Sequence, residues 1–443
     1  MEASRKKGLG LWICSSLVVG NVIGSGIFLL PASLASYGAI SLAGWVFTSV
    51  GALLLALVFA RLAVLVPRAG GPYAYSREGL GDFAGFLIAW GHWIAVWAGN
   101  AAICVAFVSY LTVFFPVLGT SPAASILAGL GALWGLSLVN IRGVHTAGVV
   151  QLVTTVLKIL PLIAVSVVGL FYLNPEHFTP LNRSGDSNFS AITACAALTL
   201  WAYLGLESAT VPADNVDNPR VTIPRATVLG TLFCAVIYIL STVSLMGLID
   251  PDQLANSKAP FADAARLMWG DVGYYVVGLG AVISCFGALN GWMILQGQVP
   301  YAAARDKLFP DIFNRVNSNG VPYMGILISS ALITVLMMMN YTRGLVETFT
   351  FIILLATLTS LIPYSFSAIA ELLIYSKRPD EFRKERLWGH CLIAILGFLY
   401  GLWAIAGSGQ DTVYWGFLLL MLGLPVYSWV KWQHSRQLES TDS

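Results

Sequence analysis

Long apolar runs restrict the fold of this chain more than anything else in it. Twelve segments, at about 9–31, 39–66, 84–113, 122–140, 147–172, 190–212, 225–249, 272–299, 324–340, 347–376, 387–408 and 412–430, approach or exceed the roughly 20 mainly apolar residues that a membrane-spanning helix needs. Several exceed that minimum, which fits tilted or broken helices better than straight short ones. Of the 443 residues, 57% are hydrophobic and 10% charged, whereas roughly a quarter of a soluble domain is charged. Mean hydropathy is +0.77. The expected fold is all-α, an integral membrane protein of 12 transmembrane helices, with no connection long enough for a separate soluble domain.

Basic residues report orientation. With the N-terminus placed inside, Arg183, Lys258, Arg266 and Arg343 fall outside, Arg61 and Lys158 fall within spans, and the rest of the 24 Lys and Arg fall on the inner side. This asymmetry predicts both termini in the cytoplasm and an even number of spans. A multi-pass protein of a prokaryotic inner (cell) membrane fits such a short-tailed chain. Met1 to Lys7 read as a retained tail, because no cleavage pattern precedes the first span. The lipid bilayer is then one partner; nucleic acid is not expected, since the basic residues form no block long enough to bind it. The six Cys lie in apolar stretches and never pair as C-x-x-C, so a metal site, a disulfide framework and a cofactor are not expected. A homodimer is left open beside a monomer.

The first apolar segment is interrupted by Gly20-Asn21-Val22-Ile23-Gly24-Ser25-Gly26, and the sixth by Trp201-Ala202-Tyr203-Leu204-Gly205-Leu206-Glu207-Ser208. Unpaired peptide groups in lipid cost several kcal/mol each, so such breaks persist where protein or a water-filled cavity takes up the freed groups. Paired breaks point to a substrate site near the bilayer midplane. Because five spans separate them, the two broken helices enter the bilayer from opposite sides. This predicts a five-plus-five inverted repeat. Residues 1–172 hold the N-terminal tail and spans one to five, 190–376 hold spans six to ten, and 387–443 hold two extra helices and a C-terminal tail. Chance is the competing explanation, since glycine is frequent in membrane helices and 43 residues here are Gly.

A broken helix offers free N–H groups and a positive dipole end beside carbonyls released from the preceding half, which suit a carboxylate and an ammonium. In the first break Gly24 and Gly26 allow close backbone approach and Ser25 adds a hydroxyl; simple helix contact is the alternative for such small residues. Glu207 lies in an otherwise apolar stretch, where a carboxyl is costly and points to function by default. Its structural alternative is to fix loop backbone. Lys158 is the other ionisable group deep in a span, either a proton carrier or a permanent cation holding carbonyls of the broken first helix. His92 is a candidate cavity-lining residue, whereas Arg61 and Glu371 lie near enough to the cytoplasmic ends to snorkel. Trp201, Trp292 and Tyr364 could gate or bind a cation, although with 14 Trp in the chain packing is the common use of any one of them.

Gly20-Asn21-x-x-Gly24-Ser25-Gly26-Ile27-Phe28, Gly70-Gly71-Pro72-Tyr73-Ala74-Tyr75, and Leu200 to Ala209 with Asn218-Pro219 downstream resemble the amino acid/polyamine/organocation transporter superfamily. Within it the chain is most similar to the basic amino acid/polyamine antiporters, which include arginine/agmatine, lysine/cadaverine and ornithine/putrescine exchangers. The resemblance runs through Pro363-Tyr364 and implies a LeuT-like fold. It implies that Ser25 and Gly26 bind a substrate carboxylate, and that carbonyls of Val22, Trp201 and Leu204 meet the amino group. It also implies that Trp201 covers the site on the outer side, Trp292 takes the distal group of the substrate and Asn100 hydrogen-bonds nearby. Tyr73 and Tyr364 would be gates, with Asn21 and Glu207 acting in release and pH response. His92 departs from the arginine/agmatine exchangers, which carry a Tyr there, and Val96, Ile103 and Ala356 at matching contacts make the pocket less polar. Lys158 departs too, and resembles the span-five lysine of proton-coupled and heteromeric-type members.

The expected function is secondary active transport by alternating access, exchanging an amino acid for a related amine or amino acid. The alternative is a proton-coupled symporter of neutral or broad-range amino acids using Lys158 or Glu207. An enzyme is not expected, since no H-E-x-x-H or comparable His/Asp grouping appears. A channel would conduct through a continuous pore, whereas paired breaks predict a saturable, occluded site.

Overall fold

The computed structural model describes residues 10–66, 71–142, 157–210, 216, 218–339, 344–379 and 387–441. Residues 147–156 of the fifth apolar segment, Gly70 of the glycine motif, the N-terminal tail and the basic residues Arg68, Arg343, Arg383, Lys384 and Arg386 lie outside them. Among the described residues regular structure is helical. The helices are α1 (Leu11–Val22), α2 (Gly26–Ala35), α3 (Ser41–Leu65), α4 (Pro72–Leu80), α5 (Asp82–Leu111), α6 (Pro122–Arg142) and α7 (Leu157–Tyr172). They continue with α8 (Asn188–Leu200), α9 (Pro219–Leu248), α10 (Pro251–Asn256), α11 (Pro260–Arg305) and α12 (Tyr323–Met339). Last come α13 (Leu345–Lys377), α14 (Trp388–Gly407), α15 (Gln410–Met421) and α16 (Gly423–Thr441). Among the described residues, ten helical stretches are long and apolar enough to cross a membrane, and α7 and α12 are shorter apolar helices.

Local sequence explains many of the boundaries. Helices α4, α6, α9, α10 and α11 open on proline, whose missing N–H is unneeded in a first turn. Ser187 caps α8 by accepting from the Ser190 N–H, and Asp250 caps α10 by accepting from Asp252 and Gln253. Helix α11 is bent at Gly270, where φ is 69°, so its first ten residues lead obliquely into the eighth apolar segment. The twelfth apolar segment is divided between α15 and α16 at Leu422.

Packing sorts the helices into two sets. Helices α1, α3, α8 and α9 pack chiefly on one another, and α5, α6, α11 and α12 form a second group, with α13 laid along α5 and α14. Burial separates centre from periphery: 94% of the best apolar window over α1 and α2 is buried, against 22% over α15 and α16. Between apolar helices in lipid there is little hydrophobic drive to associate, so interhelical hydrogen bonds matter, at about 0.6 kcal/mol each. Such bonds join α3 to the α8 region, Thr48 Oγ1 to Thr199 Oγ1 at 2.8 Å and Ser49 Oγ to the Tyr203 hydroxyl at 2.7 Å.

One sequence expectation is corrected here. Arg61 and Glu371 do not snorkel; Arg61 Nε and Nη2 donate to the two Glu371 oxygens at 2.5 and 3.0 Å, and Glu371 is fully buried. The fork of the guanidinium matches both carboxylate oxygens, which offsets the cost of withdrawing each charge from water. Tyr375 donates a further bond to Glu371 at 3.0 Å. Snorkelling fails because α3 and α13 bring the two charges to one level.

Candidate functional site

The first break is residues 23–25. Helix α1 ends as the Ile23 N–H bonds Val19 O at 2.8 Å and the Gly24 N–H bonds Val22 O at 2.9 Å. Helix α2 then starts at Gly26 with every one of its residues buried. The Gly20 carbonyl, freed near the end of α1, accepts from the Lys158 ammonium on α7, and Lys158 is 1% exposed. The second break runs from α8 through a tight turn at Trp201–Tyr203, an extended Leu204 and Gly205, into another tight turn at Leu206–Thr210. Gly205 has φ +100°, a region that L side chains avoid, and a Cβ there would sit 3.3 Å from Asn21 Cβ. Positive φ and close approach together explain the glycine and bring the two breaks into contact.

A single hydroxyl ties the breaks together. Tyr238 on α9 lies 2.7 Å from Val22 O and 3.0 Å from Ala202 O, one carbonyl from each break. Its one proton serves only one of them at a time. The Trp201 ring fills the space between two other glycines. A Cβ on Gly26 would lie 2.9 Å from Trp201 Cδ1, and a Cβ on Gly99 of α5 would lie 2.9 Å from the far end of the ring. The indole therefore reaches from the start of α2 to α5. Beside it, Ser25 Oγ is buried without a hydrogen-bond partner.

The other anticipated residues surround this core. His92, Val96 and Asn100 recur at four-residue spacing and so share one face of α5, with Ile103 close by. The His92 Nδ1 atom is buried without a partner. Helix α11 meets the first break where a Cβ on Gly24 would lie 3.6 Å from Ala288 Cβ; Trp292 is one turn further along and 7% exposed. Ala356 on α13 and Leu204 are buried. Further along the second break, Tyr364 donates to Glu207 Oε2 at 2.5 Å. Tyr73 lies elsewhere: its hydroxyl donates to Asp306 Oδ2 at 2.6 Å, beyond the end of α11.

Asp306 is also held by Arg77 at 2.7 Å, while Arg77 Nε and Lys431 reach Asp82 at 2.9 and 3.1 Å. Arg378 pairs with Glu78 at 2.6 Å. These links lie where α3, α11 and α13 end and α5 begins, a charged face of the molecule. The Lys431 ammonium, then Arg77, holds the Asp82 carboxyl below its ordinary range. Burial, then the bond to Asp306, raises the Tyr73 phenol above its ordinary range. Toward the opposite face lies a cavity of about 700 Å³ whose lining includes Ser33, Tyr37, Asn256, Thr350 and Asp411.

Sequence reasoning missed Tyr238, Gly99, Gln296 and the Arg77–Asp306 pair. Tyr238 is one of 17 tyrosines in the chain and stands in an ordinary apolar run, so nothing in its neighbourhood marked it. Gln296 did carry a signal, as a polar amide one turn beyond Trp292. Among the described residues, no three His, Cys, Asp or Glu side chains gather to hold a metal ion.

A family model for amino acid permeases matches residues 9–427. The chain belongs to the amino acid permease family. It is 33% identical to the cadaverine/lysine antiporter of Escherichia coli (strain K12), over 99% of this chain and 98% of that protein. It is 32% identical to the putrescine transporter PotE of Haemophilus influenzae, over 98% of this chain and 99% of the relative. The PotE protein of Escherichia coli (strain K12) is likewise 32% identical, over 97% of this chain and 98% of its own length. The permease falls in the basic amino acid/polyamine antiporter group of the amino acid/polyamine/organocation superfamily, and its apolar helices make it a multi-pass membrane protein.

Proposed function

We propose that this permease exchanges an amino acid for a related amine or amino acid by alternating access. The observation that carries the reading is the contact between the two helix breaks, with the unpartnered Ser25 Oγ and the Trp201 indole beside it. Ser25 and the Gly26 N–H bind the substrate carboxylate at the positive end of α2. Carbonyls of Val22, Trp201 and Leu204 take the amino group, Asn21 lies beside them, and Tyr238 yields Val22 O when substrate arrives. Trp292, Asn100, His92, Val96 and Ala356 surround the side chain. Trp201 closes the outer side; Tyr364 with Glu207, and then Tyr73, close the inner side. The names of the relatives, a cadaverine/lysine antiporter and putrescine transporters, support exchange of amino acids for amines.

In this reading the chain spans an inner membrane 12 times with both termini cytoplasmic, and the charged face is the cytoplasmic one. Two packing sets drawn from spans one, two, six and seven and from spans three, four, eight and nine support an inverted repeat. A second reading, proton-coupled symport, is favoured by one contact: Lys158 donates to Gly20 O, so loss of its proton would remove the charge from that bond and weaken its hold on a carbonyl of the first break. Uptake into proteoliposomes separates the two. Uptake that requires internal amino acid or amine and ignores a proton gradient supports exchange, whereas gradient-driven uptake into empty vesicles refutes obligate exchange.

A further inference from the structure

Helix α2 begins at the Ser25-Gly26 step and has little of its own to fix it. It is ten residues long, Ser25 at its N-cap makes no side-chain capping bond, and Pro31 within it has no N–H to give the Ile27 carbonyl. Its placement therefore depends on what it meets outside, and one such contact is fully determined. The Tyr110 hydroxyl, near the end of α5, lies 2.7 Å from the Phe28 carbonyl oxygen and 3.2 Å from the Phe261 nitrogen. A carbonyl only accepts and an N–H only donates, so Tyr110 gives its one proton to Phe28 and receives from Phe261. Phe261 is the second residue of α11, where an N–H has no partner in its own helix. All three side chains are buried, and the Phe28 ring meets Tyr110 at 5.7 Å and Phe261 at 5.2 Å, both edge to face.

The surroundings of this junction are themselves tied down. Ser109 Oγ donates to Lys258 O at 2.6 Å, and the Lys258 ammonium donates to Gly119 O at 2.6 Å. Gly99 and Tyr110 lie eleven residues, about three turns, apart on α5 and so share one of its faces. That face meets Trp201 at Gly99 and α2 at Tyr110. We infer that Tyr110 is a positioning residue: it sets α2 against α5, and with it the Ser25 hydroxyl and Gly26 N–H that are proposed to take the substrate carboxylate. Tyr110 acts through α2 and not on substrate. The inference rests on the exchange reading above and adds to it a residue outside the two breaks.

The test is a double-variant cycle read by calorimetric titration of the purified full-length protein, with lysine as the probe and leucine in its place if the wild type does not take lysine. Tyr110→Phe keeps the ring and removes the hydroxyl; it is expected to weaken binding about fivefold, the weight of one hydrogen bond, at unchanged stoichiometry. Tyr110→Met, which also lacks the hydroxyl, is expected to behave alike. Ser25→Ala should weaken binding as well, and adding it to Tyr110→Phe should cost less than about twofold more, because a hydroxyl already out of place has little left to lose. Affinity within about twofold of wild type in both Tyr110 variants overturns the inference and leaves the Ser25 assignment standing. Losses from Tyr110→Phe and Ser25→Ala that multiply in full overturn it too, since Tyr110 then acts on something other than Ser25. Reduced stoichiometry at unchanged affinity does the same, as the mark of a purely structural role. Equal binding by Ser25→Ala and wild type, or a wild type that binds neither amino acid, overturns the carboxylate assignment and the inference with it.

Discussion

On the charged face, side chains from α3, α4, α5, α13 and α16, with Asp306 and Arg378 just past α11 and α13, are joined by ionic and hydrogen-bonded pairs, whereas toward the opposite face a cavity of about 700 Å³ lies between α2, α8, α10, α13 and α15. Helix α13 spans both regions: 30 residues separate Glu347 from Lys377, or about 45 Å at 1.5 Å per residue. One side is closed by directional bonds between elements distant in sequence. On the other, the Trp201 ring beside the two breaks lies against two glycines, Gly26 and Gly99. In the proposed exchange, opening the charged side would break several charge-assisted bonds together, whereas opening the cavity side would turn one aromatic ring.

The largest effect should come from the buried pair. Arg61→Met strands the fully buried Glu371 carboxylate, and unfolding in detergent should show a loss of about 3 kcal/mol. Arg61→Met with Glu371→Leu should recover much of it, since removing both charges leaves none unpaired; a double variant less stable than the single one contradicts this account.

Next comes the aromatic cover. Gly26→Val would drive a side chain into Trp201 and should reduce substrate binding by roughly 10- to 100-fold without loss of membrane insertion. Binding within about twofold of wild type would show that the ring does not sit tightly there. Tyr364→Phe removes the donor to Glu207 and should change the exchange rate about tenfold, with insertion unchanged. No change in rate would remove this bond from the inner closure.

The smallest effect belongs to Asp82, which is exposed and shared by Arg77 and Lys431. Asp82→Asn should alter exchange by no more than about fivefold, and less at high salt. Because its folded-state value lies below that of an ordinary Asp, near 3.9, its contribution is complete above that pH and is lost as pH falls through the depressed value. A pH profile of exchange should therefore show the same shape for Asp82→Asn and wild type above about pH 5. A step at pH 6 that vanishes in the variant contradicts the assignment.

The all-helical character and both breaks were legible in the sequence because lipid imposes long apolar runs, and because glycine clusters within them need a reason. Ser25 and Gly26 stood out from the glycine break and Glu207 from the cost of a carboxyl in a span, Trp201 and Tyr364 through motif resemblance, and the structure gathers them around the two breaks. Tyr73, anticipated as a gate through motif resemblance, bonds Asp306, away from the central group. Arg61 and Glu371 were misread because hydropathy places charges by depth alone, and their pairing depends on the packing of α3 against α13. Tyr238 and Gln296 escaped notice because a hydroxyl or amide gains significance from what it touches, such as a carbonyl from each break or the Asn100 amide. Those contacts join residues that local sequence does not place together.

The central claim is that the two breaks together hold the α-amino and carboxylate groups of a substrate beneath Trp201. Its most direct test is calorimetric binding of lysine to purified wild type and to the Ser25→Ala/Trp201→Leu double variant. The account predicts affinity at least about tenfold weaker in the double variant, with an unchanged elution profile on size exclusion. Equal affinity in the two proteins would contradict it.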